Sequence, residues 1–484
     1  MYWRNAKTLG FRYCAIILFA VPLQPKTKVK VMKTGIITFS LALSSLCMMA
    51  QETDDKGVDA VTGATRQVSS SRLSIGGYGE AVMTRNFYSQ SFNRYKKPEN
   101  YADDKSHGRF DLPHVCLNIG YDFGKGWTMG SEIEFEHGGN GTAVEIEAEE
   151  AGEYEAEVEK GGEVNIEQFW INKAFMDGQV NIKAGEIIVP VGYSNAYHEP
   201  NQFFTVYRPE GEATIMPNTW HQVGISLWGR LKDWRYEVQL LSGLNSESFT
   251  AENFVHYGAT SPYEFKVANN YAGAMRIDNY SIKGLRIGLS GYYGYSFRNT
   301  LRTPGAKYDD VTGALGIVAL DFSLKRWNWI VRGNIDYAHF SDADEISAYN
   351  QANWTHHKYQ DGNPHHYSNI GSHAVSYAVE AGYDVLSLTR KPTSKLYVFG
   401  RFEHYNTMAS GTYKSLYKYT KKYRYAFGVN YSPVKQITVK GEYSYRFFEK
   451  PNNNGLASDS PLYKQPYNNE PSVSIGVTYT GWFL

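Results

Sequence analysis

The feature that most constrains this chain is the length of its alternating segments. In "KQITVKGEYSYRFF", apolar and aromatic residues occupy most odd positions from Ile437 to Phe447, and polar residues such as Lys440 and Glu442 fall between them. Successive side chains of a β-strand point to opposite faces, so one face is apolar and the other polar. The segments run for about ten residues or more, which is the length of a tilted strand that crosses a bilayer.

A soluble sandwich with one buried face also alternates, but three features favour a membrane barrel. Aromatic residues crowd the apolar face near segment ends, as an interfacial girdle requires. Short gaps such as 124–126 and 232–233 alternate with long gaps such as 190–217 and 340–371. The last alternating segment begins at Val473 and runs to the chain end. A closed barrel pairs every strand backbone group within the bilayer.

The sequence therefore predicts an all-β fold over residues 71–484. We expect a closed antiparallel transmembrane β-barrel of about 16 strands, with short periplasmic turns and long external loops. The expected strands begin near Leu73, Phe110, Trp127, Val164, Val180, Thr219, Trp234, Tyr271, Leu285, Val311, Asn328, Ala374, Leu396, Lys422, Gln436 and Val473.

The N-terminal region has the composition of an export signal. We interpret residues 1–50 as a leader with its true start at Met32 and cleavage after Ala50, followed by a short periplasmic lead-in at 51–70. The alternative is that residues 1–31 form a genuine long n-region. The leader holds seven basic residues and no acid, so the remainder carries −7 from totals of 49 basic and 49 acidic residues. No basic nucleic-acid footprint is present, and Cys116 alone remains beyond the leader, which excludes a disulfide framework.

Two stretches resemble the phosphate-selective porin O and P family of Bacteroides-type bacteria. They are "GRFDLPHVCLNIGYDFGKGWTMGSEIEFEHGG" (108–139) and "IEQFWINKAFMDGQVNIKAGEIIVPVGYSN" (166–195), the second with Gly185, Pro190 and Gly192 in a Gly–x4–Pro–x–Gly element. The resemblance implies a sixteen-stranded, trimeric, passive pore of the Gram-negative outer membrane, whose third external loop folds inward.

Phosphate selectivity is not part of what the resemblance implies, because Arg208 is the one Lys or Arg in loop 190–217. The candidate constriction residues of this loop mix aromatic and polar groups that suit a polar solute. They are His198, Glu199, Tyr207, Arg208 and Glu210. The alternative is an ordinary packed external loop.

Charged residues recur on the polar face of the strands, often with opposite signs two positions apart and therefore on one face. The candidate pore-lining residues are Lys183, Arg235, Glu237, Arg276, Asp278, Arg332, Asp336, Arg401, Glu403, Lys440, Glu442 and Arg446. They are expected to form a salt-bridge lattice that stiffens the wall, transverse fields that orient polar solutes, or both. Mixed signs predict weak ion selectivity, because rings of one sign produce strong selectivity.

Two loops carry further candidate sites. The segment 142–163 holds nine glutamates and one lysine, a charge of −8, and its alternation predicts a β-ribbon above the barrel over 142–162. Its candidate Ca²⁺ ligands are Glu145, Glu147, Glu155 and Glu157. Its expected partner is a neighbouring subunit or the lipopolysaccharide layer, and the alternative is a solvated acidic loop. The histidine-rich loop, with His356, His357, His365 and His366, is a metal-site candidate or simply solvated.

The function predicted from these features is passive diffusion of small polar solutes or ions, with weak selectivity. The alternative is a non-conducting structural or adhesive barrel of the outer membrane. No spacing singles out a catalytic nucleophile and base, so we expect no enzyme activity, and we expect no cofactor beyond a structural Ca²⁺.

Overall fold

The fold is that of a computed structural model, which describes residues 72–90, 101, 103–136, 142–147, 155–160, 163–261, 265–301, 303–353, 369–389, 393–412, 414–415, 417–449 and 468–484. The predicted leader (1–50) and lead-in (51–70) lie outside these residues, so their assignments stay predictions.

The described residues form nineteen β-strands. In chain order they are β1 Leu73–Asn86, β2 His107–Asp111, β3 His114–Gly124, β4 Trp127–Glu136, β5 Thr142–Glu147, β6 Glu155–Lys160, β7 Glu163–Phe175, β8 Val180–Ile188, β9 His221–Leu231, β10 Trp234–Ser242, β11 Tyr271–Asn279, β12 Leu285–Tyr295, β13 Ala314–Arg326, β14 Trp329–Phe340, β15 His373–Asp384, β16 Lys395–Ser410, β17 Lys421–Val434, β18 Ile437–Phe448 and β19 Asn469–Trp482.

All of these strands except β5 and β6 join one antiparallel sheet that closes on itself. The first and last strands pair along their length, from Gly76 opposite Trp482 to Asn86 opposite Ser472. β2 and β3 both pair with β1 and are two halves of one wall position, interrupted by Pro113, which lacks a backbone N–H. The wall therefore has sixteen strand positions, and the predicted closed all-β barrel is confirmed.

The outer face of the wall is apolar. On β9, Val223, Ile225 and Leu227 are 53%, 55% and 44% exposed, whereas Gln222 and Ser226, which point to the opposite face, are buried inside. The same alternation recurs around the barrel, as the pleat of a strand requires. An exposed apolar surface of this extent is typical of a protein that contacts lipid or a partner.

Helical structure is confined to short segments between the strands. The α-helices are Tyr193–Ala196, Glu210–Ile215 and Ala343–Asn353, and the 3-10 turns are Met176–Gly178, Pro200–Gln202, Ser246–Ser248, His256–Ala259, Ala306–Tyr308, Val385–Leu388 and Lys418–Thr420. Among the described residues, no helix combines the length and apolar character that a membrane span needs.

The acidic segment forms a separate two-stranded antiparallel sheet of β5 and β6. Its register places Glu145 opposite Glu157 and Glu147 opposite Glu155. The backbone of the expected ribbon is therefore present. Residues 137–141 and 148–154, which flank and connect the two strands, lie outside the described residues.

Candidate functional site

The loop between β8 and β9 lies inside the barrel. It leaves the wall through Gly192, whose φ of 83° belongs to the left-handed region that favours glycine. A Cβ atom at this position would stand 2.8 Å from Oε1 of Glu212, so a side chain has no room. The Gly192 N–H donates to Oγ of Ser290 on the inner face of β12, at 3.0 Å. We refer to residues 189–220 as the inner loop.

One lysine of the wall binds the inner loop through three backbone carbonyls. The Nζ of Lys440 donates to the carbonyl oxygens of Pro200, Phe203 and Thr205 at 2.6, 3.1 and 2.9 Å. An ammonium group has three donors, and here each one is used. The same Nζ also makes a cation–π contact with the Phe203 ring, at 4.3 Å from the ring centre.

Wall carboxylates bind the N–H groups of the same loop. Glu442 accepts from the Val206 N–H at 2.8 Å, and Glu403 accepts from the Gly211 N–H at 2.9 Å. Buried backbone groups need partners, and an irregular loop cannot supply all of them itself. Charged side chains of the wall therefore replace the sheet or helix partners that the loop lacks.

The start of the inner loop is held by Arg276 on β11. Its guanidinium donates to the carbonyls of Pro190 and Gly192 at 3.3 and 3.1 Å. The same group pairs with Asp278 at 2.8 Å and with Asp321 at 3.0 Å. The cation is thus neutralised by the wall while its remaining donors face the loop.

A second arginine completes this network. Arg286 lies 2.9 Å from Asp278 and 2.5 Å from Asp321, and its guanidinium is stacked 4.3 Å from the ring centre of Tyr197 in the inner loop. A planar guanidinium can pair with carboxylates along its edge while its face contacts an aromatic ring.

The inner loop also packs into the main apolar cluster of the barrel. Its members come from this loop, from neighbouring strands and from the loops that follow β10, β12 and β14; they include Val189, Val191, Ile215, Met216, Trp220, Leu244, Phe249, Phe254, Phe297, Phe340 and Ile346. Polar contacts on one side and apolar contacts on the other hold the loop across the interior.

The structure places the predicted pore-lining residues on the inner face, but it covers most of them. Eleven of the twelve are buried: Lys183, Arg235, Glu237, Arg276, Asp278, Arg332, Asp336, Arg401, Glu403, Lys440 and Glu442. The side chain of the twelfth, Arg446, keeps 26% exposure. For Arg276, Arg332, Glu403, Lys440 and Glu442, the inner loop packs against the side chain.

Three of the expected pairs form ion pairs two residues apart, in accordance with the lattice interpretation: Arg235 with Glu237 at 2.5 Å, Arg276 with Asp278 at 2.8 Å and Arg401 with Glu403 at 2.8 Å. The expected pairing of Lys440 with Glu442 needs correction, because these two side chains bind the loop backbone as described above. Arg332 and Asp336 share the inner face, where Arg332 pairs with Glu380 at 2.7 Å and Asp336 accepts from Asn334 at 2.6 Å.

Sequence reasoning missed several members of the network, among them Arg286, Asp321, Glu380 and Arg424. Each of them stands on the polar side of its strand's alternation, which is the signal that could have identified them. Their partners lie on neighbouring strands rather than two positions away on the same strand.

The candidate constriction residues do not share one environment. Glu210 lies 3.1 Å from Arg446 and 3.4 Å from Arg424, and it accepts from the Tyr405 hydroxyl at 2.8 Å. Burial alone would raise the pKa of Glu210, but Arg446 and Arg424 lower it to about 2. The Tyr207 hydroxyl donates to Asp111 at 3.3 Å. Glu210 and Tyr207 are half-buried, so both keep contact with solvent.

Of the remaining three residues of that group, His198 and Arg208 are buried and Glu199 is half-buried. His198 is buried with its Nε2 3.6 Å from a carboxylate oxygen of Glu132. Arg208 is buried and donates to the Thr219 hydroxyl. Burial raises the pKa of Glu199 to about 7, although His198 opposes the rise. The histidine-rich loop lies outside the described residues, as do the side chains of the ribbon glutamates.

Comparison with known proteins gives distant similarity. A protein of Aquifex aeolicus (strain VF5), described only as an uncharacterized protein, is 26% identical over 385 residues, which are 77% of this chain and 75% of that protein. No protein-family model matches the chain. The resemblance to the phosphate-selective porin O and P family is therefore not confirmed.

Several solved structures are similar in architecture. The anion-selective porin from Comamonas acidovorans is 11% identical with a TM-score of 0.47, over 84% of this chain and 99% of that one. The high-pH structure of Pseudomonas putida OprB is 10% identical with a TM-score of 0.47, over 90% and 100%. The outer membrane channel DcaP of Acinetobacter baumannii is 11% identical with a TM-score of 0.45, over 84% and 97%. Similarity this remote carries no activity over to the present chain.

Proposed function

We propose that this chain is an outer-membrane porin through which small polar solutes and ions diffuse passively. The observation that carries the proposal is the inner loop, which is anchored to the wall inside a closed barrel whose outer face is apolar. Strands cross a bilayer only when their backbone groups are paired, and a closed barrel meets this condition. A loop fixed across the interior narrows the path to the size of small solutes.

The same geometry supports weak ion selectivity. Acidic and basic side chains of the interior neutralise each other in pairs, and the half-exposed Glu210 and Arg446 are themselves such a pair. A path lined by compensated charges presents little net field to a passing ion, whereas selective pores use rings of one sign. The proposal names no particular solute.

We extend the proposal to the assembly and its surroundings. The chain is exported by its leader to the Gram-negative outer membrane, assembles as a homotrimer and contacts lipid through the apolar wall. The ribbon of β5 and β6 contacts a neighbouring subunit or the lipopolysaccharide layer through Ca²⁺ held by Glu145, Glu147, Glu155 and Glu157.

A second function, a non-conducting structural or adhesive barrel, has one observation in its favour. Eleven of the twelve charged residues predicted to line the pore are buried rather than exposed to water. A barrel filled in this way can stiffen a membrane or present its external loops without passing solutes.

Conductance in planar lipid bilayers separates the two functions. The porin proposal predicts discrete, reproducible conductance steps from the folded, detergent-purified protein, and no steps from the same preparation after heat denaturation. Swelling of proteoliposomes in sugars, amino acids and phosphate would then rank the solutes. Folded protein that inserts into vesicles yet gives neither conductance nor swelling would favour the structural barrel.

A further inference from the structure

A second group of ionisable side chains lies inside the barrel, away from the Lys440 and Arg276 contacts. Glu132 on β4, Glu167 on β7 and His198 of the inner loop are 3%, 1% and 5% exposed. They each offer a ligand atom, and these atoms lie within 4.8 Å of one another. We refer to these three residues as the interior triad.

A β-bulge brings Glu167 into the triad. Along β4 and β7, Glu132 faces Gln168 whereas Ile133 faces Ile166, so Glu167 is the extra residue without an opposite partner. Without the bulge, Glu167 and Gln168 would point to opposite faces; here both are buried inside. A bulge disrupts local pairing and re-aims a side chain, and bulges are frequent next to functional sites.

The carboxylates of the triad have unused acceptors. Oε1 of Glu132 and Oε1 of Glu167 are buried and have no hydrogen-bond partner among the described residues. The opposite oxygens are occupied, since Glu132 accepts from Gln168 at 2.5 Å and Glu167 from the Tyr78 hydroxyl at 3.5 Å. A buried carboxylate is costly unless it is paired, hydrogen-bonded or bound to a cation. A cation bound between them would satisfy both of these oxygens.

The histidine is oriented as a ligand. Nδ1 of His198 lies 3.4 Å from the carbonyl oxygen of Asn195, to which it can donate, and Nε2 lies 3.6 Å from Oε1 of Glu132. A histidine that donates through one ring nitrogen keeps the other as a lone pair for a metal. Two ligand atoms about 2 Å from one metal ion are separated by about 3–4 Å, which agrees with this distance.

Two neighbouring side chains, Cys116 and Glu134, also place ligand atoms within 4.8 Å of Glu167. Cys116 Sγ lies 3.8 Å from Oε1 of Glu134, and that oxygen lies 2.5 Å from Nδ1 of His114. These contacts already use the Glu134 oxygen, so we assign Cys116 and Glu134 to the surroundings of the triad. Their burial keeps water from the site.

We propose that Glu132, Glu167 and His198 bind one divalent transition-metal ion of the Zn²⁺ type. One imidazole and two carboxylates suit Zn²⁺, whereas Ca²⁺ requires six to eight oxygen ligands. Because His198 belongs to the inner loop and both glutamates belong to the wall, the ion fixes the loop to β4 and β7. This site is independent of whether the barrel conducts.

The test measures Zn²⁺ binding by the folded full chain, purified without a polyhistidine tag and treated with a chelator. Titration against a chromophoric zinc indicator should give one tight site per chain, and Ca²⁺ should not displace Zn²⁺ from it. Glu167→Gln and His198→Gln should each weaken binding at least tenfold, because each removes a ligand. As a matched control, Glu449→Gln, which changes an exposed glutamate just after β18, should bind Zn²⁺ as the unmodified chain does.

Two controls make the result specific to the interior triad. A chain without residues 144–159, and a chain with His356, His357, His365 and His366 replaced by alanine, should both keep the tight site. Heat-modifiable migration on gels checks that each variant is folded, and Zn²⁺ should raise the unfolding temperature of the unmodified chain but not of folded Glu167→Gln. No tight Zn²⁺ site in the unmodified chain, or unchanged affinity in the folded Glu167→Gln variant, would overturn the proposal.

Discussion

At the scale of single residues, the interior is organised by the backbone groups of the inner loop. Lys440 illustrates this, because its three donors end on three carbonyls of one short segment, 200–205. Arg276 does the same at the start of the loop with two carbonyls. These cations act as fixed hydrogen-bond partners of the loop backbone.

Replacing Lys440 by methionine should loosen the inner loop. The substitution keeps much of the side-chain volume but removes three hydrogen bonds to buried carbonyls. Hydrogen bonds that involve a charged group contribute about 1.5–3 kcal/mol each, so we expect the free energy of unfolding to fall by at least about 2 kcal/mol. If the barrel conducts, its single-channel current should also become larger or noisier.

The matched control for this prediction is Lys435→Met, since Lys435 is exposed in the turn before β18. Denaturant unfolding in detergent should leave this variant unchanged. Equal stability of Lys440→Met and the unmodified chain would show that the loop is held by its apolar packing rather than by the lysine.

Local spacing predicted part of this residue network and missed the rest for a physical reason. Pairs such as Arg235 and Glu237 follow from period-two alternation alone. The partners of Arg332 and Lys440 depend on strand register and on the path of the inner loop, which bring together residues distant in sequence. Nothing in the sequence close to Lys440 indicates that it would bind loop carbonyls.

At the scale of elements, the strands were more predictable than the loops. The expected starts at Val180, Trp234, Tyr271 and Leu285 are the observed first residues of β8, β10, β11 and β12. Long alternating segments specify their faces strongly, because a shift of one residue would expose polar groups to lipid and bury apolar ones. The bulge at Glu167 breaks this periodicity within β7, and alternation alone could not reveal it.

The acidic ribbon leads to a prediction about divalent cations. Its register places glutamates directly opposite each other across β5 and β6, and like charges in that position are destabilising. Ca²⁺ should relieve the repulsion and, if the ribbon contacts a neighbouring subunit, raise the melting temperature of the oligomer. Deleting residues 144–159 should abolish this rise while the barrel remains folded, because β4 and β7 pair without the ribbon.

The measurement is oligomer melting on semi-native gels with and without Ca²⁺, with Mg²⁺ as the comparison ion. A Ca²⁺ response that survives the deletion would place the cation elsewhere. A deletion variant that cannot fold would mean that the segment is needed to form the wall.

At the scale of the whole molecule, the exterior follows from the residues themselves, whereas the inward path of the inner loop was implied only by the family resemblance. Apolar alternation over sixteen wall strands requires an apolar surrounding outside, and this follows from the sequence. The interior of a barrel this wide could hold water or packed loops. The choice is made by tertiary contacts of the inner loop with β11, β12, β16 and β18, which no local pattern encodes.

The whole-molecule balance of charge gives the last prediction. If the chain conducts, its reversal potential in a salt gradient should lie near zero, because the interior acids and bases are paired. Glu210 is the informative position, since it is half-exposed and compensates both Arg446 and Arg424. Glu210→Gln should shift the reversal potential toward anion preference, since it leaves both guanidinium groups less compensated, and low salt should enlarge the shift.

Glu449→Gln should have a much smaller effect, because its carboxylate lies beside Lys421 at the surface. A strongly selective unmodified channel, or one unaffected by Glu210→Gln, would mean that ions follow a path away from the inner loop.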